Sequence, residues 1–222
     1  MHTGLKIASK TIKQRVLERH PEIAKHILPT RFFSKEALQS MLNTYKLVYV
    51  KPNVGSGGYQ VIRVELFKTG KYCFQIGKSI VTAFTFSELY RLLKNRMKKI
   101  TYIIQKGIQL CTINGNPVDY RVKYIKEAGL WRYRAVVGRV ARPGLIVTNL
   151  HQGGRQWRGI TALKATVGVQ AAHHKKAQMK RLTRLGTAHL LRHFPGLTRL
   201  GFDYGIDKYG KVWIFEVNTN PD

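Results

Sequence analysis

Residues 201–222 read GFDYGIDKYGKVWIFEVNTNPD, two β-rich runs on either side of the turn Asp207-Lys208-Tyr209-Gly210, and predict a terminal hairpin. Strand alternation over KVWIFEVN puts Val212, Ile214, Glu216 and Asn218 on one face and Trp213, Phe215 and Val217 on the other. A turn at residues 208–210 brings Asp203 on the neighbouring strand within reach of Glu216 and Asn218. Two carboxylates and an amide oxygen then meet at one place. Such hard oxygen donors suit Mg²⁺, or Mn²⁺, which complete their shells with water and phosphate oxygens.

These acids are informative because the chain has so few. It carries 39 Lys and Arg against 11 Asp and Glu, a net charge of +28, far beyond the magnitude of roughly 2 to 8 usual for a small domain. From residue 128 to 201 there is no Asp or Glu, while 14 Lys and Arg fall there. An acidic partner is expected. The 44% apolar content excludes wholesale disorder, and no apolar run approaches the roughly 20 residues of a membrane span. The start MHTGLKIASKTIK lacks the apolar core of a signal peptide, so the expectation is a soluble cytoplasmic protein without a membrane partner. Cys73 and Cys111 have no metal-ligand spacing and read as ordinary thiols.

The rest of the chain predicts mixed helices and strands in one α+β domain of two lobes, residues 1–104 and 105–222. In the first lobe, residues 10–20 read as a helix ending at Pro21, and a second helix follows Ser34. Residues 46–50 and 59–66 read as a hairpin joined by a glycine turn, with a further strand at 72–76, a helix capped by Ser87 at 87–99 and a buried strand at 102–104. In the second lobe, strands are expected at 110–113, 118–124 and 131–140, then a long basic helix over 162–194 interrupted near Gly186. The cleft between such lobes is a common ligand site.

Three further segments carry chemistry. Lys51 ends a strand before Asn53, Gly55, Ser56, Gly57 and Gly58, a turn whose backbone amides can wrap phosphate oxygens while the lysine supplies charge. The turn is neither a Walker loop nor a dinucleotide fingerprint: no Gly-Lys-Ser directly follows it, Gly77-Lys78-Ser79 has Tyr72 where the first glycine should stand, and Gln60 occupies the place of the last glycine of the fingerprint. Asp119 and Arg121 share a strand face, suited either to ribose and phosphate or to a cross-strand ion pair. Asn149 precedes a second glycine turn, Gly153-Gly154, flanked by His151 and Arg155, placed either as a plain turn or against a transferring phosphoryl group.

Together VKPNVGSGG, YIIQKGI, PVDYRV, TNLHQGG and the terminal hairpin resemble the ATP-grasp superfamily, and most closely its YheC/YheD-like endospore coat-associated group, over nearly the whole chain. The 13-residue step from Asp203 to Glu216, followed by Asn218, is similar to that of D-alanine ligases and is the most specific match. The resemblance implies an ATP-grasp fold with ATP as cofactor. It implies Lys51 on the α- and β-phosphates with the loop at residues 55–58 closing over them. Gln105, Lys106 and Ile108 would line adenine, Asp119 take the ribose, Arg121 the phosphates, Asn149 the γ-phosphate region, and Asp203, Glu216 and Asn218 the metal. Lys10 is similar to the superfamily's other phosphate lysine.

The chain departs from the ligase pattern in three places. Gln105 stands where many relatives have glutamate; Gly201 stands where the ligases have an arginine that steadies the intermediate, leaving Arg199, Arg139 or Arg142 to substitute; and the N-terminal domain that helps form the acceptor site is nearly absent. The abrupt end at Asp222 reads as a truncation. The resemblance implies an ATP-dependent ligase that joins a carboxylate to an amine through an acyl phosphate, catalysed mainly by positioning and electrostatics, with an acidic peptide or cell-wall polymer as acceptor and spore-coat association. The alternatives are an ATP-grasp kinase and a coat or polyanion-binding protein that keeps the fold without turnover. Nucleic acid is the less favoured partner, because the run His173, His174, Lys175, Lys176, Lys180, Arg181, Arg184 has no interleaved aromatics for stacking.

Overall fold

A computed structural model describes residues 5–221; Asp222 lies outside the described residues. The chain folds as two antiparallel sheets, each backed by helices. The first sheet comprises β1 (Thr30–Phe32), β2 (Leu47–Pro52), β3 (Ile62–Leu66), β4 (Tyr72–Ile76), β5 (Ser79–Ala83) and β6 (Tyr102–Lys106), in the order β1-β6-β2-β3-β4-β5. Helices α3 (Lys35–Tyr45) and α4 (Phe86–Arg96) cover it, burying Leu38, Met41, Leu42, Leu89 and Leu93 against Val48, Val50, Ile62, Val64 and Phe74. Both helices start on hydroxyl caps: Ser34 Oγ accepts from Ala37 N at 3.0 Å and Thr85 Oγ1 from Glu88 N at 3.2 Å, each worth about 1 kcal/mol. Glu88 reaches back to accept from Phe84 N, so the cap belongs to Thr85, two residues before the Ser87 expected from the sequence.

The second sheet runs β10 (Arg155–Arg158), β9 (Leu130–Val140), β8 (Asn116–Glu127), β11 (Arg199–Ile206), β12 (Val212–Asn218), with β7 (Thr112–Ile113) paired to β8. Its back is covered by α5 (Gly159–Val167) and α6 (Val169–His193) and by α1 (Lys10–Glu18) and α2 (Pro21–Ala24). Val16, Leu17 and Ile23 join Val122, Met179, Leu182, Phe202 and Tyr204 in one core. The N-terminal helices thus pack on the second sheet, not the first, which carries α1 to the mouth of the cleft.

Three local readings change. The long basic helix breaks at Gly168, whose φ of 83° and ψ of 163° only glycine holds comfortably, and it runs unbroken through Gly186. Gly186 is there for packing: a Cβ would lie 2.8 Å from Phe202 Cε1 and 3.3 Å from Leu17 Cδ2. Residues 59–61 precede β3 as turn, while β1, β5 and β10 were not expected from sequence. In β12 a bulge intervenes, since Asp203 pairs with Glu216 but Tyr204 with Ile214. The extra residue, Phe215, shifts the alternation. Val212 and Ile214 therefore turn into the core with Val217, while Phe215, Glu216 and Asn218 face the cleft.

Because Phe202 is fully buried, Gly186→Val should overpack this helix–sheet contact and cost roughly 1–3 kcal/mol, lowering the thermal midpoint by several degrees. An unchanged midpoint would contradict the packing role of Gly186.

Candidate functional site

A cleft of about 720 Å³ opens between the two sheets. The first sheet contributes Lys51 at the end of β2, Gln105 and Lys106 from β6, and the loop at residues 55–58; the second contributes Asp119, Arg121, Arg139, Asp203, Glu216 and Asn218. Ile108 and Asn149 also line it, so most of the residues singled out from the sequence converge. Asn53 does not. Its side chain accepts from Thr11 N at 3.1 Å and donates to Ser9 Oγ at 3.1 Å, fastening the N-terminus of α1 beside the lysine strand.

Asp119 and Arg121 share a face but do not pair with each other. Opposite Asp119 on β9 stands Arg139, whose Nε and Nη2 donate to the carboxylate at 2.7 and 2.6 Å. Opposite Arg121 on β11 stands Asp203, held by Nε and Nη2 at 2.7 and 2.8 Å. Arg139 Nη2 also lies 3.2 Å from Asp203. The result is a chain of alternating charge, Asp119–Arg139–Asp203–Arg121, across three strands. Burial pushes the Asp203 carboxyl up, but two guanidinium groups outweigh it and hold Asp203 below the usual carboxylate range. Asp119 is equally buried with one arginine, and burial wins, lifting it. Thus both expected functions of this strand pair meet an ion-pair network. Of the arginines expected to stand in for the one absent at Gly201, Arg139 lines the cleft and reaches Asp203, whereas Arg199 and Arg142 do not line it. A side chain at Gly201 is excluded, since its Cβ would sit 2.7 Å from Pro221 Cβ.

Glu216 and Asn218 lie beside this network. The Asn218 amide, oriented so that both its atoms are satisfied, accepts from Arg121 Nη2 at 3.1 Å and donates to Glu216 Oε1 at 3.2 Å. Lys10 Nζ stands 3.6 Å from Glu216 Oε2 and donates to Gly55 O at 2.7 Å, tying α1 to the glycine loop and the acid at once. Lys13, one helical turn on, escaped the sequence reading. It is buried and donates to Ile7 O at 2.6 Å, and burial pulls its pKa down to about 8 against the attraction of Glu216. The signal was the i, i+3 spacing from Lys10.

Lys51 is buried at the edge of the cleft. Burial lowers its pKa to about 8, opposed by Glu216, and its Nζ donates to Gln105 Oε1 at 2.8 Å. Gln105 in turn donates to Thr30 Oγ1 and the Phe215 carbonyl. Its carbonyl oxygen thus serves Lys51 rather than facing a base, whereas Lys106 lies against Tyr45 and Trp213, each ring centroid 5.2 Å from Nζ. Across the cleft the two glycine turns touch. Gln152 Nε2 donates to Gly57 O at 2.8 Å, and a Cβ on Gly58 would lie 2.2 Å from Asn149 Oδ1. Gly57 and Gly58 hold φ of 73° and 71°, a region that favours glycine. Gln152 was missed because it acts through Gly57, a partner far away in sequence, and Arg139 was named only as one of several arginines, without its tie to Asp119.

This architecture is the α+β ATP-grasp fold. The N5-carboxyaminoimidazole synthase of Aspergillus clavatus, solved with ADP and 5-aminoimidazole ribonucleotide, superposes over 98% of this chain and 45% of its own with a TM-score of 0.59 at 11% identity. The D-alanyl-alanine synthetase A of Vibrio cholerae superposes over 88% of this chain and 51% of its own with a TM-score of 0.53, also at 11% identity. The chain belongs to the YheC/D-like ATP-grasp family, whose model matches residues 2–222. It is 29% identical over 217 residues to the endospore coat-associated protein YheD of Bacillus subtilis, covering 93% of this chain and 47% of that protein. It is 28% identical over 214 residues to YheC of the same organism, covering 92% of this chain and 57% of that protein. The chain therefore spans about half the length of the curated relatives it matches. Among the described residues no helix is long and apolar enough to cross a membrane.

Removing one member of the ionic chain leaves buried charge uncompensated. Arg139→Met should destabilise the protein by about 3–5 kcal/mol, whereas Lys164→Met, on the exposed side of α5, should change stability by about 0.5 kcal/mol or less. Urea unfolding of the two variants checks both.

Proposed function

We propose that this chain binds ATP in the cleft and acts as an ATP-dependent ligase that activates a carboxylate. The observation that carries the reading is the electrostatic make-up of the cleft: Lys10, Lys51, Lys106, Arg121, Lys123 and Arg139 line it against only Asp119, Asp203 and Glu216, so it favours a polyanion while keeping three oxygen-bearing side chains together. Membership of the YheC/D-like ATP-grasp family and the ADP-bound neighbour of the same fold support the nucleotide part of it.

In this reading Lys51 and Lys10 meet the phosphates from one side, and the glycine loop at residues 55–58 covers them with backbone amides. Lys106 and Ile108 border the base, with Gln105 holding Lys51 in place. Asn149, and the Gln152 link to Gly57, keep the γ-phosphate region closed to water. Arg121 and Arg139 present guanidinium groups to charge that develops during transfer.

The residues fit a divalent cation. Asp203, Glu216 and Asn218 are hard oxygen donors on one wall, and Glu216 faces only a lysine at 3.6 Å among ionic partners of the described residues. Mg²⁺ or Mn²⁺ held there would neutralise phosphate charge and favour in-line transfer.

The chemistry is a two-step exchange. A carboxylate oxygen of the acceptor attacks the γ-phosphorus, the bond to the bridging oxygen breaks, and ADP leaves with that electron pair. An amine then attacks the acyl carbon, orthophosphate departs, and the nitrogen gives up a proton to solvent. Products distinguish this from kinase-like transfer: a ligase releases ADP and orthophosphate with a new amide, and a kinase leaves the phosphoryl group on its acceptor.

Lys51 gives the reading a pH signature. Free Lys51 is protonated below about 8, and only that form attracts phosphate. ATP affinity should be level below pH 8 and weaken above it, by up to about tenfold per pH unit, because binding then requires proton uptake. Calorimetry in buffers of different ionisation enthalpy reads that uptake directly. In Lys51→Arg, whose guanidinium stays charged, the decline above pH 8 should shrink. An affinity in wild type that is flat from pH 7 to 10 would overturn the role of Lys51.

A further inference from the structure

The cleft does not end at the Asp203–Glu216–Asn218 group. Register places Arg121, Asp203 and Glu216 on one rung across β8, β11 and β12, and Lys123, Gly201 and Asn218 on the next. Lys123, Asn220 and Pro221 still line the cavity. One rung further out on the same face, Ile125 stands between Arg132 of β9 and Arg199 of β11, both exposed.

Resting on the ligase reading, we propose that this extension is the acceptor lane and that it takes an acidic peptide in extended form, its carboxylates met by Lys123, Arg199 and Arg132. Among the described residues none of these three cations joins an ion pair. The acid nearest in sequence to the outer rung, Glu127, is already held by Arg134. The whole segment from residue 128 to 201 supplies no other carboxylate. Same-face positions recur every two residues, so the step from the Arg121 rung to the Ile125 rung is about 14 Å. A single amino acid placing its carboxylate near the metal-binding group cannot also touch Arg199, whereas an extended peptide of about four residues can. At the middle rung Pro221 packs over Gly201, so the cations that line the lane on either side of that contact are Lys123 within the cleft and Arg199 and Arg132 beyond it. The lane offers no exposed aromatic on which bases would stack, and Lys123 sits within the cleft, which favours a peptide over nucleic acid.

The test is fluorescence anisotropy with labelled di-, tetra- and octaglutamate in the presence of Mg²⁺ and a non-hydrolysable ATP analogue, with parallel titration of the analogue itself. The lane predicts affinity rising roughly tenfold from di- to tetraglutamate and falling roughly tenfold for tetraglutamate in the Arg132→Glu, Arg199→Glu double variant. Analogue affinity in that variant should stay within about twofold of wild type, since neither arginine lines the nucleotide cleft. Equal binding of oligoglutamine, absence of a length effect, or duplex DNA displacing octaglutamate as well as unlabelled octaglutamate does would overturn the lane. Failure of the analogue to bind wild type would instead overturn the nucleotide reading on which the lane rests.

Discussion

Four charges, Asp119, Arg139 and Asp203 buried and Arg121 half-buried, alternate in sign across β8, β9 and β11, and they fix the wall of the cleft on which Glu216 and Asn218 stand. Burying one of these groups alone would cost several kcal/mol; burying them as bidentate pairs with a bridging contact makes the set neutral and satisfies most of its donors. The pairs also define strand register, because a slip of one residue would turn each side chain to the opposite face of the sheet. With Asp203 held in its charged form, Glu216 and Asn218 on the adjoining strand face the open cleft, where the proposed cation and phosphates would be met.

Close backbone approach is the second constraint. Gly58 and Asn149 come from different lobes and touch without room for a Cβ, and the Gln152 bond to Gly57 adds to the contact. Gly201 yields its side-chain space to Pro221. Of the turn glycines Gly58 answers to a neighbour across the cleft, whereas Gly57 and Gly154 are set by local contacts with Tyr59 and the Thr148 backbone. Lys10 completes the arrangement by linking α1, the loop and Glu216, which makes the N-terminal helix part of the site although it packs on the second sheet.

Much of this was legible in the residues. The terminal hairpin, the lysine strand and the grouping of Asp203, Glu216 and Asn218 follow from alternation and turn chemistry. The bulge at Phe215 did not, because its cause is a two-against-one pairing with β11 that only the partner strand reveals; Val212 and Ile214 were accordingly assigned to the polar face. Gly186 was read as a helix break because intrinsic propensity disfavours glycine in a helix interior, yet tertiary contact with Phe202 explains it. The contacts of Gln105 with Lys51 and of Asn53 with the start of α1 were not foreseen either. Long-range pairing was the missing information in each case. For Arg139, an arginine among many in an acid-free segment, nothing local distinguished it from its neighbours.

The most direct measurement is calorimetric titration of ATP, with and without Mg²⁺, into the wild-type protein and a Glu216→Ala variant. The account predicts that Mg²⁺ strengthens ATP binding to the wild type and that the variant loses this metal-dependent gain while still binding ATP. Absence of ATP binding to the wild type, or an equal gain from Mg²⁺ in both proteins, would contradict it.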